Sequence, residues 1–188
     1  MNICKDFTFK ISKTIMEKCR NKNVSDQINI INMDIFEDIK IDHLSRLKKQ
    51  YELLEFSEDR RMDLSSAYIL NLISQTNIQL GNFSVALDSS IKAKSKWKQV
   101  TNQKHGMTGL ILCYSDIGQI YMKMGLIDES IEFFEKGLNL LNDSDELFVA
   151  FFKIHYHLSE VYSDLNFISK SYEMINKCIE RINSFEFS

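Results

Sequence analysis

The feature that most constrains this chain is a pattern of small and large residues that recurs at a long, regular spacing. Three segments align in register: LNLISQTNIQLGNFSVALDSSIKA from Leu70, YSDIGQIYMKMGLIDESIEFFEKG from Tyr114 and HYHLSEVYSDLNFISKSYEMINKC from His155. At matching positions stand the apolar Ile73, Ile117 and Leu158, the small Ser74, Gly118 and Ser159, and then Asn77, Tyr121 and Tyr162. Gly81, Gly125 and Asn166 follow, then the small Ala86, Ser130 and Ser171, and last Ala93, Gly137 and Cys178. Small residues at fixed places let two helices approach closely, and large apolar ones fill the space between them. The glycine or asparagine between the halves of each copy is where a helix can stop in a left-handed conformation. The pattern predicts a series of antiparallel helix pairs.

Composition agrees with an all-α chain. There is no proline among 188 residues, where ordinary usage of about 5% would give roughly nine, so few helix breaks are enforced. At 44% hydrophobic and 26% charged the chain has enough apolar material for a core, which excludes wholesale disorder. The length suits one domain or one compact array of repeats. No apolar run approaches the roughly 18 residues of a membrane span. Charges interrupt the N-terminal MNICKDFTFKISKTIMEK, so it does not read as a secretory signal. Cys4, Cys19, Cys113 and Cys178 are far apart and form no CxxC pair, which points to reduced thiols and a cytoplasmic location.

The registered copies resemble the tetratricopeptide repeat. In that family a large residue, a Leu-Gly and a Tyr mark the first helix of each pair, and small residues mark the second. The middle copy matches best, at Tyr114, Ile117, Gly118, Tyr121, Gly125, Ser130, Phe134 and Gly137. The third departs at Ser159, Asn166 and Ile175, and the first at Asn77 and Ser90. The family's proline after the second helix is absent; Lys98, Asn142 and Asn183 stand there. The resemblance covers about residues 64–185. It implies a right-handed superhelical array of antiparallel helix pairs, at about 63–101, 104–142 and 145–185, within one structural domain. From Ser74 to Gly118 is 44 residues and from Gly118 to Ser159 is 41, against a standard repeat of about 34. The extra residues are expected to lengthen the helices by about two turns. Long repeats of this kind are similar to those of Gram-positive quorum-sensing peptide receptors and of helical input regions ahead of bacterial diguanylate cyclases. No helix-turn-helix precedes the repeats, which counts against a complete DNA-binding receptor, and whether an output domain follows residue 188 stays open.

Residues 1–60 read as N-terminal helices with one degenerate pair. Phe7, Ile11 and Ile15 mark one amphipathic helix. Ile28, Ile31, Ile35 and Ile39 mark another, with Ser25 as N-cap. Leu44, Leu47, Tyr51 and Leu54 mark a third, capped by Asp42, and SEDRR at 57–61 is the expected loop. Asp143 with Glu146 reads as a capping-box variant opening the third copy.

Charge is blocked along the chain. Residues 1–22 carry six Lys/Arg against Asp6 and Glu17, whereas 116–146 carry eight acids against Lys123 and Lys136. The basic first helix is expected to pack on the array; lying on a membrane or being exchanged with a partner chain are the alternatives. Lys92, Lys94, Lys96, Lys98 and Lys104 form a cluster that raises nucleic-acid binding. The cluster contains no arginine and the net charge is -3, so a solvated helix end is the better reading and nucleic acid is not the expected partner.

No catalytic constellation is present. His155 and His157 are two apart and point to different sides of a helix, so they cannot share a metal. His43 and His105 stand alone, and there is no phosphate loop and no GxSxG. Cys113 and Cys178 read as core, Met107, Met122 and Met124 as packing, and Glu132 with Glu135 as a solvated face. The chain is expected to be non-enzymatic, with no cofactor and no metal.

The resemblance places the ligand on the first helix of each pair, which lines the concave side of such arrays. The inward positions carried over are Tyr68, Asn71, Gln75 and Ile78; Leu112, Ser115, Gln119 and Met122; and Lys153, Tyr156, Glu160 and Ser163. Amides there can donate to and accept from a peptide backbone, and tyrosines add apolar area with a polar tip. The carboxylate clamp of chaperone-binding members is not reproduced; only Asn71 and Lys153 have suitable chemistry. The expected function is a protein- or peptide-binding module, the sensory or regulatory input of a bacterial signal-transduction protein. A structural adaptor or homodimer using the same face is the alternative.

Overall fold

Asp42 opens the first helix in the computed structural model, which describes residues 42–102, 105–141 and 147–186. Its carboxylate accepts from the backbone N–H of Leu44 at 2.9 Å and of Ser45 at 3.1 Å, and from the Ser45 hydroxyl. These donors have no partner inside the helix, so the expected cap is the observed one. Seven helices follow among the described residues and no strand: α1 (His43–Asp59), α2 (Asp63–Gln79), α3 (Phe83–Gln99), α4 (Gly106–Lys123), α5 (Ile127–Leu138), α6 (Phe148–Asp164) and α7 (Ile168–Glu186). The expected helices before residue 42, Lys104 and the Asp143/Glu146 cap lie outside the described residues.

The same turn ends four of these helices. A left-handed residue stands at Arg61, Gly81, Gly125 and Asn166, with φ of 54°, 76°, 78° and 59°. The next N–H reaches back across the turn each time: Met62 to Ser57, Asn82 to Asn77, Leu126 to Tyr121 and Phe167 to Tyr162, at 2.8–2.9 Å. This is the Schellman arrangement, which satisfies carbonyls that the helix end leaves open. The expected loop at 57–61 is shorter than it reads. Ser57 is fully buried within α1, its hydroxyl donating to the Leu54 carbonyl and lying 2.7 Å from the Ser66 hydroxyl of α2.

The described residues fall into two compact units, one reaching to Gly109 and one beginning at Leu110. In the first, α2 packs against both α1 and α3. Leu53, Ile69 and Ile73 form its core, with Leu47, Leu54, Tyr68 and Leu72 partly buried around them. On α1, Leu47 and Leu54 meet this core, but Leu44 and Tyr51 of the expected stripe are exposed. The helix turns Leu53 inward, and the stripe lies to one side of the contact. At the α2–α3 contact, Ser74 donates to the Ala86 carbonyl at 2.9 Å and lies 2.6 Å from the Ser90 hydroxyl.

In the second unit the matching contact is made without a hydroxyl. A Cβ on Gly118 of α4 would stand 2.7 Å from the Phe134 ring of α5, so only glycine admits the ring. Gly137 of α5 lies against Ile154 of α6 in the same way, at 2.5 Å from where its Cβ would be. In the last pair, Ser171 of α7 donates to the Ser159 carbonyl of α6 at 2.9 Å. The expected lengthening holds for the 17 to 19 residues of α2, α3, α4, α6 and α7, but α5 has only 12. Gly137 and Asn139 are poor helix formers and weaken its end. Part of the long spacing is therefore taken up between α5 and α6.

Candidate functional site

The positions carried over for a ligand divide into surface and interior. On α2, Tyr68, Gln75 and Ile78 are half-buried, and Asn71 is only 4% exposed and already engaged in an interaction. Two neighbouring helices flank α2, which turns a position that would face a groove inward. On α4, Leu112, Gln119 and Met122 are half-buried, while Ser115 is fully buried and its hydroxyl has no hydrogen-bond partner among the described residues. On α6, Tyr156 and Ser163 are exposed and Lys153 and Glu160 half-buried. Asn71 and Ser115 thus differ from the surface role read for them.

The second unit gathers the most chemistry. Lys153, Tyr156, His157 and Glu160 share one face of α6, at spacings of three and four. Lys153 reaches across to α4, where its ammonium donates to Asp116 Oδ1 at 2.5 Å. Asp116 is fully buried, and its Oδ2 has no hydrogen-bond partner among the described residues. A buried carboxylate needs such a counter-charge, because desolvation otherwise outweighs any gain from folding it in. Asp116 and His157 were not among the positions read as groove. The signal for Asp116 was present: it is the one charged residue in the apolar run GLILCYSDIGQI.

Glu160 organises the outer end of this face. Its Oε1 accepts from the Tyr156 hydroxyl at 3.3 Å, and its Oε2 lies 3.0 Å from His157 Nδ1. His157 stacks on Phe134 of α5, with ring centroids 5.8 Å apart. Burial pushes its imidazole below the ordinary 6.5, against an opposing pull from the Glu160 hydrogen bond. His157 is therefore neutral near pH 7. His155 points elsewhere: it stacks on Phe151 at 4.0 Å and its Nδ1 lies 2.8 Å from the Phe151 carbonyl oxygen. Burial lowers its pKa also. The Glu160 charge and its hydrogen bond hold the Tyr156 phenol above its usual range. With Lys153 matched by Asp116, Glu160 presents its carboxylate beside an exposed tyrosine.

Two lysines of the basic cluster on α3 are matched by carboxylates. Lys92 lies 2.8 Å from Asp88, and Lys96 lies 3.2 Å from Asp63 and 3.9 Å from Glu58. Lys94 is also engaged. Lys92 and Lys96 are therefore not open to a phosphate backbone, while Lys98 is exposed. Cys113 is fully buried, and Cys178 is half-buried with its thiol pushed up by burial. Among the described residues no three His, Cys, Asp or Glu are placed to hold a metal, and no helix is long and apolar enough to cross a membrane.

Comparison with known proteins agrees with the packing. Residues 112–140, which include the best of the three copies, match the tetratricopeptide repeat family. No curated protein matches the chain. Among solved structures, BtubC (BKLC) from P. vanneervenii is similar over 89% of this chain and 67% of its own, with a TM-score of 0.62 and 14% identity. A chain from Podosopora anserina, described as a kinesin light chain with nearly identical TPR-like repeats, is similar over 97% of both chains, with a TM-score of 0.50 and 10% identity. A point variant of it gives 0.51. At these identities the likeness is one of fold: an all-α, TPR-like solenoid. Proteins of that fold are generally non-catalytic modules that bind other proteins.

Proposed function

We propose that this chain is a non-enzymatic module that binds a protein or peptide segment on the face carried by α4 and α6. In this reading it is the cytoplasmic input part of a bacterial signal-transduction protein. The observation that carries the proposal is the arrangement around Glu160. Tyr156 is 58% exposed yet bonded to Glu160, which presents a ring and a carboxylate together at the surface. Half-buried Gln119 and Met122 of α4 add amide and apolar contacts. An extended segment carrying a lysine or arginine beside an apolar residue suits this surface: its cation or N–H groups meet Glu160, and its apolar part lies on Tyr156. The long repeat period supports the link to peptide-sensing regulators.

The test is selection of peptides from a random library against the full chain, followed by fluorescence anisotropy with the enriched sequence. Glu160→Gln and Tyr156→Ala are each expected to weaken binding by about tenfold, on the scale of a central interface residue. Enriched peptides that lack basic residues and bind both variants as tightly as wild type would remove this face from the function.

A further inference from the structure

Glu160 is held from the inside of the face as well as from its surface. Neutral His157 donates from Nδ1, because the ionised carboxylate 3.0 Å away can only accept. An added proton therefore goes to Nε2 and turns this contact into an ion pair. The two side chains are 8% and 38% exposed, so their attraction is screened less than that of an open surface pair. The ring is held in place: Phe134 of α5 stacks on it and Tyr156 meets it edge-on, with centroids 5.8 and 5.4 Å away.

The groups that bear on His157 come from two helices. On its own helix they are Glu160, Lys153 and Tyr156, and from α4 it is Asp116. Lys153 and Asp116 are paired with each other, so their effects on the ring oppose. Phe134 of α5 carries no charge, and Lys177 of α7 bears on His155. Glu160 is therefore the group that a proton on His157 engages directly. A neutral ring leaves Glu160 its full negative charge for a cation arriving from solvent, whereas a protonated ring offsets that charge from the buried side. We infer that a proton on His157 and the cation of a bound segment compete for Glu160, so that acid releases the segment from the α4–α6 face. His157 is thus a positioning residue of the face. By linkage the competition is reciprocal: the bound segment makes His157 harder to protonate. The inference rests on Glu160 being the anchor of the bound segment.

The test is the titration midpoint of His157, followed by NMR of its imidazole in the full chain, free and saturated with a lysine-containing peptide selected at pH 7.5. The midpoint should fall by about one pH unit in the complex, the shift that corresponds to about tenfold weaker binding by the protonated form. His155 stacks on Phe151, away from Glu160, and its midpoint should not move. His157→Gln keeps a neutral donor for Glu160. It should bind as wild type does at pH 7.5 and lose the weakening in acid, with circular dichroism showing that the chain stays folded at each pH. A selection that yields no such peptide, or one that binds Glu160→Gln as tightly as wild type, removes the anchor and the inference with it. A peptide that needs Glu160 but leaves the His157 midpoint unmoved, or a His157 that stays neutral in both states until the chain unfolds, overturns the inference alone.

Discussion

The α2 helix and the α4–α6 face occupy equivalent places in the repeat but carry opposite chemistry. The register positions of Asp116 and Lys153 in the second unit are those of Leu72 and Tyr68 in the first. Leu72 and Tyr68 pack around Leu53, Ile69 and Ile73. Asp116 and Lys153 instead form an ion pair with the carboxylate fully buried. The small-residue contact differs too: Ser74 is hydrogen-bonded in the first unit, and Gly118 is filled by an aromatic ring in the second. The repeat dictates where helices meet and leaves the chemistry at the meeting point free. A buried ion pair often stabilises no more than an apolar pair of similar volume, so the Asp116–Lys153 pair is open to a use other than stability.

The largest expected effect comes from breaking the polar unit's pair. Lys153→Ala leaves Asp116 buried without its cation and should cost about 3–5 kcal/mol in urea unfolding. Replacing both partners, Asp116→Leu with Lys153→Leu, copies the apolar character of the first unit and should restore or exceed wild-type stability. Next comes the close contact. Gly118→Ala drives a methyl into the Phe134 ring and should cost about 1–3 kcal/mol, with Gly118→Ala/Phe134→Leu recovering part of it. The hydrogen-bonded equivalent should be milder: Ser74→Ala loses the bond to the Ala86 carbonyl, at about 1 kcal/mol. Smaller again is a gain at the shared turn. Arg61→Gly relieves a left-handed arginine and should raise stability by about 0.5–1 kcal/mol, while Gly81→Ala should lower it.

The pH response sharpens the same contrast. His155 and His157 lie in the second unit, and burial holds both below their ordinary 6.5. The unfolded chain binds their protons more readily than the folded one. Their contribution to stability is therefore complete above about pH 6.5 and is lost as pH falls from there through the folded values. Unfolding midpoints should drop between pH 7 and pH 5. Both His155→Gln and His157→Gln should flatten that drop, and a profile unchanged by either would sink this account of the two rings.

Much of the fold was legible in the sequence because it rests on backbone and size. The Asp42 cap follows from local chemistry, as do the left-handed Gly81, Gly125 and Asn166 and the small residues at each crossing. Arg61 was missed because its side chain gives no sign of a left-handed backbone; only the neighbouring turns show that the position requires one. The face was legible in part. The resemblance places Tyr156, Glu160 and Gln119 on first helices, but it does not report how many neighbours flank a helix, and so it assigns Asn71 and Ser115 to the surface. The Lys153–Asp116 pair joins residues 37 apart, and no local pattern links them.

The most direct test of the central claim is the affinity of the Asp116→Leu/Lys153→Leu chain for a peptide selected on wild type, measured where both proteins are fully folded. If the polar pair is kept for binding, the variant should unfold no earlier than wild type and bind at least about tenfold more weakly. A variant that is as stable and binds equally well would contradict it.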